Sequence, residues 1–347
     1  MEHQGVEIVC PACHGDLRSA GSQLRCQACD RAYPVVHDIP DLRLWPDPYI
    51  AQEEDRAKAE KLAQACAGLD FADSVAEYYR LTTVVPPFQA AAFTRALLAA
   101  APRAAHALDR WARASGAPRT DGLRLLEIGC GTAPLLVSAA GRYAGLAGVD
   151  IAFRWLVVAK KRLEQEGMAV PLFCACAEAL PFRDGTFDRV VADSTLEHLR
   201  DARLALRECS RVLRPGGWIF AATPNRWSLG PDPHAGVWAG GWLPDRVIAR
   251  YVRARGGIPP VRRLLSAGEL RDRLRNAGFD SPAIFVPDIP AEQRAGFRPA
   301  LRRVIDLYNA GIRTAAGRAA LLRAGPLLHA VAQKPAQPAP PRPVTPP

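Results

Sequence analysis

Hydrophobic positions along the chain form short apolar runs that are separated by helical patterns. Residues 123–128, 145–149 and 187–192 are compact apolar runs followed by glycine or acidic residues, and runs of this length predict buried strands. Over 46–122, apolar residues recur at three- and four-residue spacing in a charged, Ala-rich background, which predicts connector and entry helices. The alternation of strands and helices predicts an α/β domain over 123–333.

The C-terminal third repeats this pattern with two further predicted strands, AIFVP and PLLHAVAQK. Between them, 291–323 predicts a basic amphipathic helix. One face carries Phe297, Leu301, Ile305, Tyr308, Ile312 and Ala316, while Arg298, Arg302, Arg313 and Arg323 lie largely off it. Residues 297–323 could contact anionic lipid peripherally or hold a polyphosphate-linked acceptor; the alternative is a helix that covers the sheet with its arginines in water. The Pro-rich segment 334–347 predicts a disordered tail.

An insertion of about 40 residues, 224–263, follows the predicted fifth strand, and long irregular loops in compact domains are usually functional. We interpret it as a substrate lid, in which His234 is a candidate base for deprotonating an acceptor. The alternative is that the tryptophans only anchor the loop, with His234 at the surface. The tryptophans of the insertion are Trp227, Trp238 and Trp242.

Four of the nine cysteines form two C-x-x-C pairs separated by twelve residues. Two such knuckles complete the tetrahedron that Zn²⁺ prefers, so residues 1–45 predict a zinc ribbon with a structural metal. Redox-active or disulfide-forming cysteines are the alternative. The predicted ligands are Cys10, Cys13, Cys26 and Cys29. The run AYPVVHDIPDL resembles the ending of small zinc-ribbon proteins that partner or fuse to methyltransferases, with His37-Asp38 where Asp-Gly is usual.

The strand at 123–128 runs directly into Gly129 and Gly131 and then a helical segment, which is typical of a nucleotide-binding opening. Asp150 closes the next strand about 20 residues later, where an acidic side chain can accept both ribose hydroxyls. Four segments, LLEIGCGTA, GVDIA, CAEALPFRDGTFDRVVADSTLEHLRD and ECSRVLRPGGWIFAATPNR, resemble the successive motifs of class I S-adenosylmethionine-dependent methyltransferases of type 11, the ubiquinone/menaquinone-methyltransferase-like group. The resemblance covers 123–226.

This resemblance implies a Rossmann-like, seven-stranded sheet with flanking helices and S-adenosylmethionine as cofactor. Carried over residue by residue, it implies that Glu127, Gly129 and Gly131 hold the methionine end of the cofactor. Asp150 would hold the ribose, and Ile151 would pack on the adenine face.

Two departures from the family pattern concern the adenine side of the predicted pocket. The usual Gly-Asp-Ala-Glu segment reads Ala-Cys-Ala-Glu, so Cys176 stands where an Asp usually accepts from the adenine amino group. Adenine would then depend on the Ala177 backbone and on packing. Glu178, the next residue of the segment, also belongs to the predicted cofactor set. Ala133 replaces a common third glycine. Asp193, at the end of strand four, completes the predicted cofactor set.

His198 follows strand four, at the sheet edge where open α/β sheets bind ligands. It is a candidate general base; the alternative is that it braces the loop after this strand. A nicotinamide dehydrogenase would also have the strand, the glycines and the acidic residue. That interpretation leaves the ALPF, LEHL and LRPGG segments unexplained.

The formal charge of +10 is confined to the C-terminal third. Residues 1–240 hold 27 Lys+Arg against 28 Asp+Glu, whereas 241–347 hold 18 against 7. Near-neutral charge around the motifs and an aromatic lid favour methylation of a small or lipid-like biosynthetic acceptor. The rival hypotheses are a ribosomal RNA base methyltransferase that uses the ribbon and the C-terminal arginines to bind RNA, and a non-catalytic scaffold that retains the cofactor site.

The sequence also bears on where the protein acts. No stretch approaches the roughly 20 uninterrupted apolar residues that span a bilayer, so we expect no transmembrane segment. The first ten residues lack the basic and apolar regions of a signal peptide. We therefore expect a cytoplasmic protein.

Overall fold

The computed structural model describes residues 1–117 and 119–336, except the side chain of Phe88. The N-terminal part contains six short strands: Glu2–His3 (β1), Val6–Glu7 (β2), Leu17–Ala20 (β3), Gln23–Cys26 (β4), Ala32–Val36 (β5) and Ile39–Pro40 (β6). The strands β3 to β6 form one antiparallel sheet in sequence order, and β1 pairs with β2. This part is the predicted ribbon.

The turn between β5 and β6 keeps its tight geometry although the usual Asp-Gly is absent. His37 and Asp38 both lie in the left-handed region, with φ of 52° and 62°, as a two-residue hairpin turn of the favoured hand requires. Lys160 holds this turn by donating to the His37 carbonyl at 2.9 Å and to the Asp38 carboxylate at 3.1 Å. A side chain of the α/β domain thus supports the unusual turn.

Four helices follow the ribbon, as the sequence predicts for 46–122: Gln52–Ala65 (α1), Phe71–Arg80 (α2), Pro87–Leu98 (α3) and Ala100–Ser115 (α4). The helix α4 buries Ala104, Leu108 and Trp111 at three- and four-residue spacing. It ends at Gly116, whose left-handed backbone is the usual helix terminator. The buried face of α4 thus follows the three- and four-residue spacing of its apolar residues.

The main sheet has seven strands: Arg124–Ile128 (β7), Gly145–Asp150 (β8), Leu172–Cys174 (β9), Phe187–Asp193 (β10), Leu213–Pro224 (β11), Asp280–Phe285 (β12) and Leu327–Gln333 (β13). Their spatial order is β12-β13-β11-β10-β7-β8-β9, and only β13 runs antiparallel to its neighbours. The helices between the first five are Pro134–Ser138 (α5), Phe153–Gln165 (α6) and Ala202–Val212 (α7). The predicted seven-stranded Rossmann-like sheet is confirmed.

The sheet order shows where this fold opens a crevice that can hold a ligand. From β7 the chain moves outward through β8 to β9, and then crosses back to β10 on the other side of β7. At such a switch point two successive connections leave in opposite directions and open a crevice at the carboxyl ends of the strands. The crevice therefore lies beyond the ends of β7 and β10.

The ribbon and the main sheet share one hydrophobic core. Ile8, Leu24 and Leu42 are buried in the same cluster as Phe173 and Phe182 of the α/β domain. Backbone hydrogen bonds continue this contact, because Val9 N–H donates to the Pro181 carbonyl at 3.0 Å and Leu42 N–H to the Cys174 carbonyl at 2.7 Å. The ribbon thus covers the free edge of β9, which would otherwise expose unpaired backbone groups.

The C-terminal part departs from the prediction over 291–323. Instead of one amphipathic helix there are three: Ala291–Ala295 (α10), Pro299–Ile312 (α11) and Ala315–Ala324 (α12). The proline at 299 starts α11 and the Thr314 hydroxyl caps α12, so both breaks have local causes. Only Ile305 of the predicted apolar face is buried. The proposed lid holds Asp245–Ala254 (α8), and Ala267–Asn276 (α9) follows it.

Two further expectations concern the C-terminal tail and membrane-spanning helices. Residues 337–347 of the predicted disordered tail lie outside the described residues. Among residues 1–117 and 119–336, none of the helices has the length and apolar character needed to span a bilayer.

Candidate functional site

The four predicted zinc ligands come together at the tip of the ribbon. Cys10 Sγ lies 3.7 Å from Cys29 Sγ, and Cys13 Sγ lies 3.5 Å from Cys26 Sγ. The edge of a ZnS₄ tetrahedron with Zn–S bonds of about 2.3 Å is about 3.8 Å long, so the donors fit a zinc ion. Tyr33 OH, 3.1 Å from Cys10 Sγ, can donate to a bound thiolate. Four thiols complete the shell without a histidine.

The two glycines of the turn after β7, Gly129 and Gly131, are needed for different reasons. Gly129 has φ of 69°, and a Cβ there would overlap the side chain of Thr195. Gly131 has φ of 50°, and a Cβ there would have nothing within 4 Å. Gly129 is therefore required by the loop that follows β10, whereas Gly131 presents bare backbone to open space that a ligand can occupy.

Ala133 adopts a left-handed backbone with φ of 59°, although it replaces a glycine of the family pattern. A third glycine in such a turn usually allows close packing of the helix on the strand. The backbone conformation shows a second reason for glycine there, because a left-handed alanine costs roughly 1–2 kcal/mol. The turn keeps its shape despite the substitution.

Three carboxylates end the strands around the crevice: Glu127 on β7, Asp150 on β8 and Asp193 on β10. Glu127 is only 3% exposed, and its Oε2 is buried without a hydrogen-bond partner among the described residues. Burial, and then the charges of Asp193 and Asp150, raise the pKa of Glu127 well above its usual value. Burial likewise raises the pKa of Asp193, and the hydrogen bond from the Ser194 hydroxyl lowers it in part.

Asp150 is held in one orientation by the glycine turn. Its two carboxylate oxygens accept from Gly131 N–H and Ala152 N–H, both at 2.8 Å. Burial raises the pKa of Asp150, and these two hydrogen bonds act against that rise. Each carboxylate oxygen retains a lone pair for a ligand hydroxyl. Together the three acids form a negative cradle that suits a cationic, hydroxyl-bearing ligand.

The predicted adenine side is formed by residues that also contact the segment after β6. The Ile151 carbonyl accepts from Arg43 Nη1 at 3.0 Å. Cys176 is fully buried and its thiol donates to the Trp45 carbonyl at 3.6 Å. Ala177 is 7% exposed. The Cys176 thiol is thus directed at Trp45.

Glu178 lies beside this segment, but its carboxylate is already engaged. Its Oε1 accepts from the backbone N–H of Asp201 at 3.1 Å, and Asp201 is the N-cap of α7. Glu178 therefore joins two loops at the edge of the predicted pocket.

Residues 41–55, which the sequence analysis divided between ribbon and connector, contribute a buried ion-pair network that it missed. Arg43 pairs with Asp41 and Asp55 at 2.8 and 2.7 Å, and all three side chains are fully buried. Asp55 also accepts from Arg154 at 2.8 Å and from the backbone N–H of Phe153 at 2.8 Å. The available signal in the sequence was the segment DLRL, in which an acidic and a basic residue alternate with leucines. The network fixes the ribbon against α6 and the end of β8.

The two predicted histidines, 36 residues apart in the sequence, meet in space. Their Nε2 atoms are 3.0 Å apart, and His198 Nδ1 donates to the Val261 carbonyl at 3.2 Å. Burial, and then the neighbouring His234, lower the pKa of His198. Glu197, 1% exposed, approaches the pair, and burial raises the pKa of Glu197 to about 7. The sequence analysis did not predict Glu197 as a site residue.

The tryptophans of the proposed lid lie partly in solvent. Trp227 and Trp242 contact each other edge to face with ring centroids 4.9 Å apart, while Trp238 and Trp242 are 68% and 55% exposed. In contrast, His234 is mostly buried. The aromatic rings therefore do not enclose the histidine pair in this structure.

Two known families match separate parts of the chain. Residues 126–221 match the family described as "Methyltransferase domain", and residues 8–37 match the family described as "Trm112p-like protein". The first match runs from β7 into β11, and the second covers all four cysteine ligands.

Individual relatives share the same region. The chain is 34% identical over 162 residues to a "Ubiquinone biosynthesis O-methyltransferase" of Cereibacter sphaeroides, covering 46% of this chain and 61% of that protein. It is 37% identical over 106 residues to the protein of the same name from Chromobacterium violaceum, covering 30% and 46%. The chain thus spans about half the length of these relatives.

A solved structure of a Thermotoga maritima protein, described as "SAM-dependent methyltransferase, possible histamine N-methyltransferase", is also similar. It is 20% identical, covers 70% of this chain and 94% of that one, and aligns with a TM-score of 0.44.

Proposed function

Because the chain joins a class I S-adenosylmethionine-dependent methyltransferase domain to an N-terminal Trm112-like zinc-binding module, we propose that it transfers a methyl group from S-adenosylmethionine to a small-molecule or lipid-like acceptor. The observation that carries this proposal is the cradle at the switch point of the sheet. Gly131 leaves open space there, and the unpaired Glu127 Oε2 and the oriented Asp150 carboxylate lie around it.

The residues of the cradle fit the cofactor chemically. Glu127 and Asp193 offer buried negative charge to the methionine ammonium and the sulfonium, whose positive charges would offset the cost of burying these carboxylates. Asp150 accepts from the ribose hydroxyls with the lone pairs that Gly131 and Ala152 leave free. Ile151 and the Cys176–Ala177 backbone line the adenine side.

When bound, the cofactor supplies a methyl group that is already activated by the positive sulfur. The chain's own residues then need to position the acceptor and exclude water, and good orientation can contribute roughly 7–11 kcal/mol. We place His198 and His234 on the acceptor side, because they lie just beyond the carboxyl end of β10. The names of the relatives, which share the catalytic region, support an acceptor of the small or lipid-like class.

Binding of S-adenosylhomocysteine by calorimetry tests the cofactor site. Asp150→Ala removes the ribose contact, and the loss of charge-assisted hydrogen bonds should weaken binding more than about tenfold. Asp280→Ala, which changes an exposed acid on the distant strand β12, should leave affinity unchanged. Equal affinity in the wild type and Asp150→Ala would refute the placement of the ribose.

The acceptor class is tested by turnover with methyl-labelled cofactor in cell extract, followed by separation into lipid, small polar and RNA fractions. We expect label in the lipid or small polar fraction. Label confined to RNA would contradict the proposed acceptor class, and cofactor binding without transfer into any fraction would contradict an enzymatic role.

A further inference from the structure

The contact between His198 and His234 brings two imidazole nitrogens to hydrogen-bond distance. His198 Nδ1 faces a carbonyl oxygen, which only accepts, so this nitrogen carries the proton and Nε2 presents a lone pair. His234 Nδ1 lies 3.4 Å from Asp232 Oδ1 but has no hydrogen-bond partner in the described part of the chain, so this carboxylate favours a proton on Nδ1 through its charge alone. Two lone pairs would then face each other at 3.0 Å, which is repulsive unless a cation or a proton lies between them.

A third donor atom points into the same space. Glu197 Oε1 is buried, has no hydrogen-bond partner in the part of the chain that the structure describes, and lies 3.9 Å from His234 Nε2. The other oxygen of Glu197 accepts from the Thr223 hydroxyl at 3.0 Å, which fixes the orientation of the carboxylate. A proton shared by the two histidines would leave Glu197 Oε1 unpaired, whereas a metal ion would satisfy all three atoms.

We propose that Glu197, His198 and His234 form a second metal site, which binds a divalent first-row transition cation such as Mn²⁺, Fe²⁺ or Zn²⁺. Their donor atoms lie within 4.8 Å of one another. Two adjacent ligands with metal–nitrogen bonds of about 2.1 Å are about 3.0 Å apart in an octahedral shell, the spacing of the two Nε2 atoms. Two imidazoles with one carboxylate are a ligand set that such cations favour.

The surroundings of the three ligands are those of a built site. The Val261 carbonyl and the Thr223 hydroxyl each form a hydrogen bond with one ligand and fix its orientation, as outer-shell partners commonly do, and Asp232 lies 3.4 Å from Nδ1 of the third. Asp232 is itself held by Arg262 and by the backbone N–H of His234 at 2.8 Å. The proposed lid therefore contributes one of the three ligands.

Three protein ligands leave coordination positions for an oxygen of the acceptor. This step rests on the proposed function and deepens it to a hydroxyl acceptor. The cation favours loss of the O–H proton to water. The oxygen electron pair forms the new O–CH₃ bond as the S–CH₃ bond breaks, and S-adenosylhomocysteine leaves as a neutral sulfide. No histidine then needs to act as a general base.

Titration of Mn²⁺ into the zinc-loaded full chain, followed by the EPR signal of free Mn²⁺, tests the site. The ribbon should not compete, because thiolates favour zinc over Mn²⁺. We expect one bound Mn²⁺ per chain, weakened at least about tenfold by His234→Gln and by Glu197→Gln, since even outer-shell losses cost 10–100-fold. His106→Gln, a histidine near Glu292 on the surface, is the matched control and should bind like the wild type.

Pulsed EPR on the wild type adds a readout that does not depend on any variant, because coordinated imidazole nitrogens modulate the Mn²⁺ signal. The proposal is overturned if the wild type binds no Mn²⁺, if imidazole modulation is absent, or if both variants bind as tightly as the control. S-adenosylhomocysteine affinity is measured in parallel. Cofactor binding without Mn²⁺ binding refutes the cation site alone, whereas Mn²⁺ binding without cofactor binding refutes the proposed function alone.

Discussion

Glu127→Gln should make the ligand-free protein more stable and the cofactor complex weaker. In the free protein, Glu127 is buried with one unpaired oxygen beside Asp150 and Asp193. Its pKa is raised above that of the unfolded chain, so its ionisation opposes folding as the pH rises above about 4.5. A neutral amide of the same shape removes that opposition at neutral pH.

The size of the binding loss follows from the contact that disappears. Hydrogen bonds to a charged group contribute about 1.5–3 kcal/mol, and each 1.36 kcal/mol is a factor of ten. The variant should therefore bind S-adenosylmethionine about ten- to 150-fold more weakly. The loss should be largest at high pH, where the wild-type carboxyl is ionised, and smaller as the pH falls.

Calorimetry with S-adenosylmethionine at several pH values, together with thermal unfolding of the ligand-free protein, measures both effects. Glu166→Gln, an exposed acid at the end of α6, is the control and should change neither. If Glu127→Gln melts below the wild type and binds the cofactor equally well, then the carboxyl has a purely structural role and the electrostatic reasoning fails.

Three further predictions concern stability. Cys26→Ser should reduce bound zinc in metal analysis and lower the unfolding temperature, because the ribbon shares its core with the main sheet; full zinc content would contradict the ligand assignment. Arg43→Met should lower the free energy of unfolding in urea by about 1.5–3 kcal/mol, since Asp41 and Asp55 stay buried and keep only Arg56 and Arg154 as charged partners; a loss below 1 kcal/mol would contradict this. Burial lowers the pKa of His329 to about 3, so its contribution to stability is complete above about pH 6.5 and falls by up to about 1.4 kcal/mol per pH unit toward pH 3. His329→Phe should flatten that part of the profile in urea titrations, and an unchanged slope would assign the acid sensitivity to other groups.

The local features of the protein were determined by the sequence itself. The strands β7, β8 and β10, the glycine turn and the acids at the strand ends were all predicted from short segments, because strand period, turn chemistry and motif spacing act over a few residues. The cysteine knuckles were predicted for the same reason. The prediction of a single helix over 291–323 was wrong because apolar periodicity continued across Pro299 and Thr314, where the chain turns.

Only the tertiary structure decided which distant residues meet. Arg43 contacts Asp55 and the residue that follows β8. His198 contacts His234, and the Glu197 carboxylate, which the sequence showed only as part of the LEHL segment, lies 3.9 Å from His234. These contacts depend on how the ribbon and the lid pack on the sheet, which is the sum of many weak apolar contacts spread along the chain. No short segment encodes that sum, so the buried charges and the paired histidines could be recognised only in three dimensions.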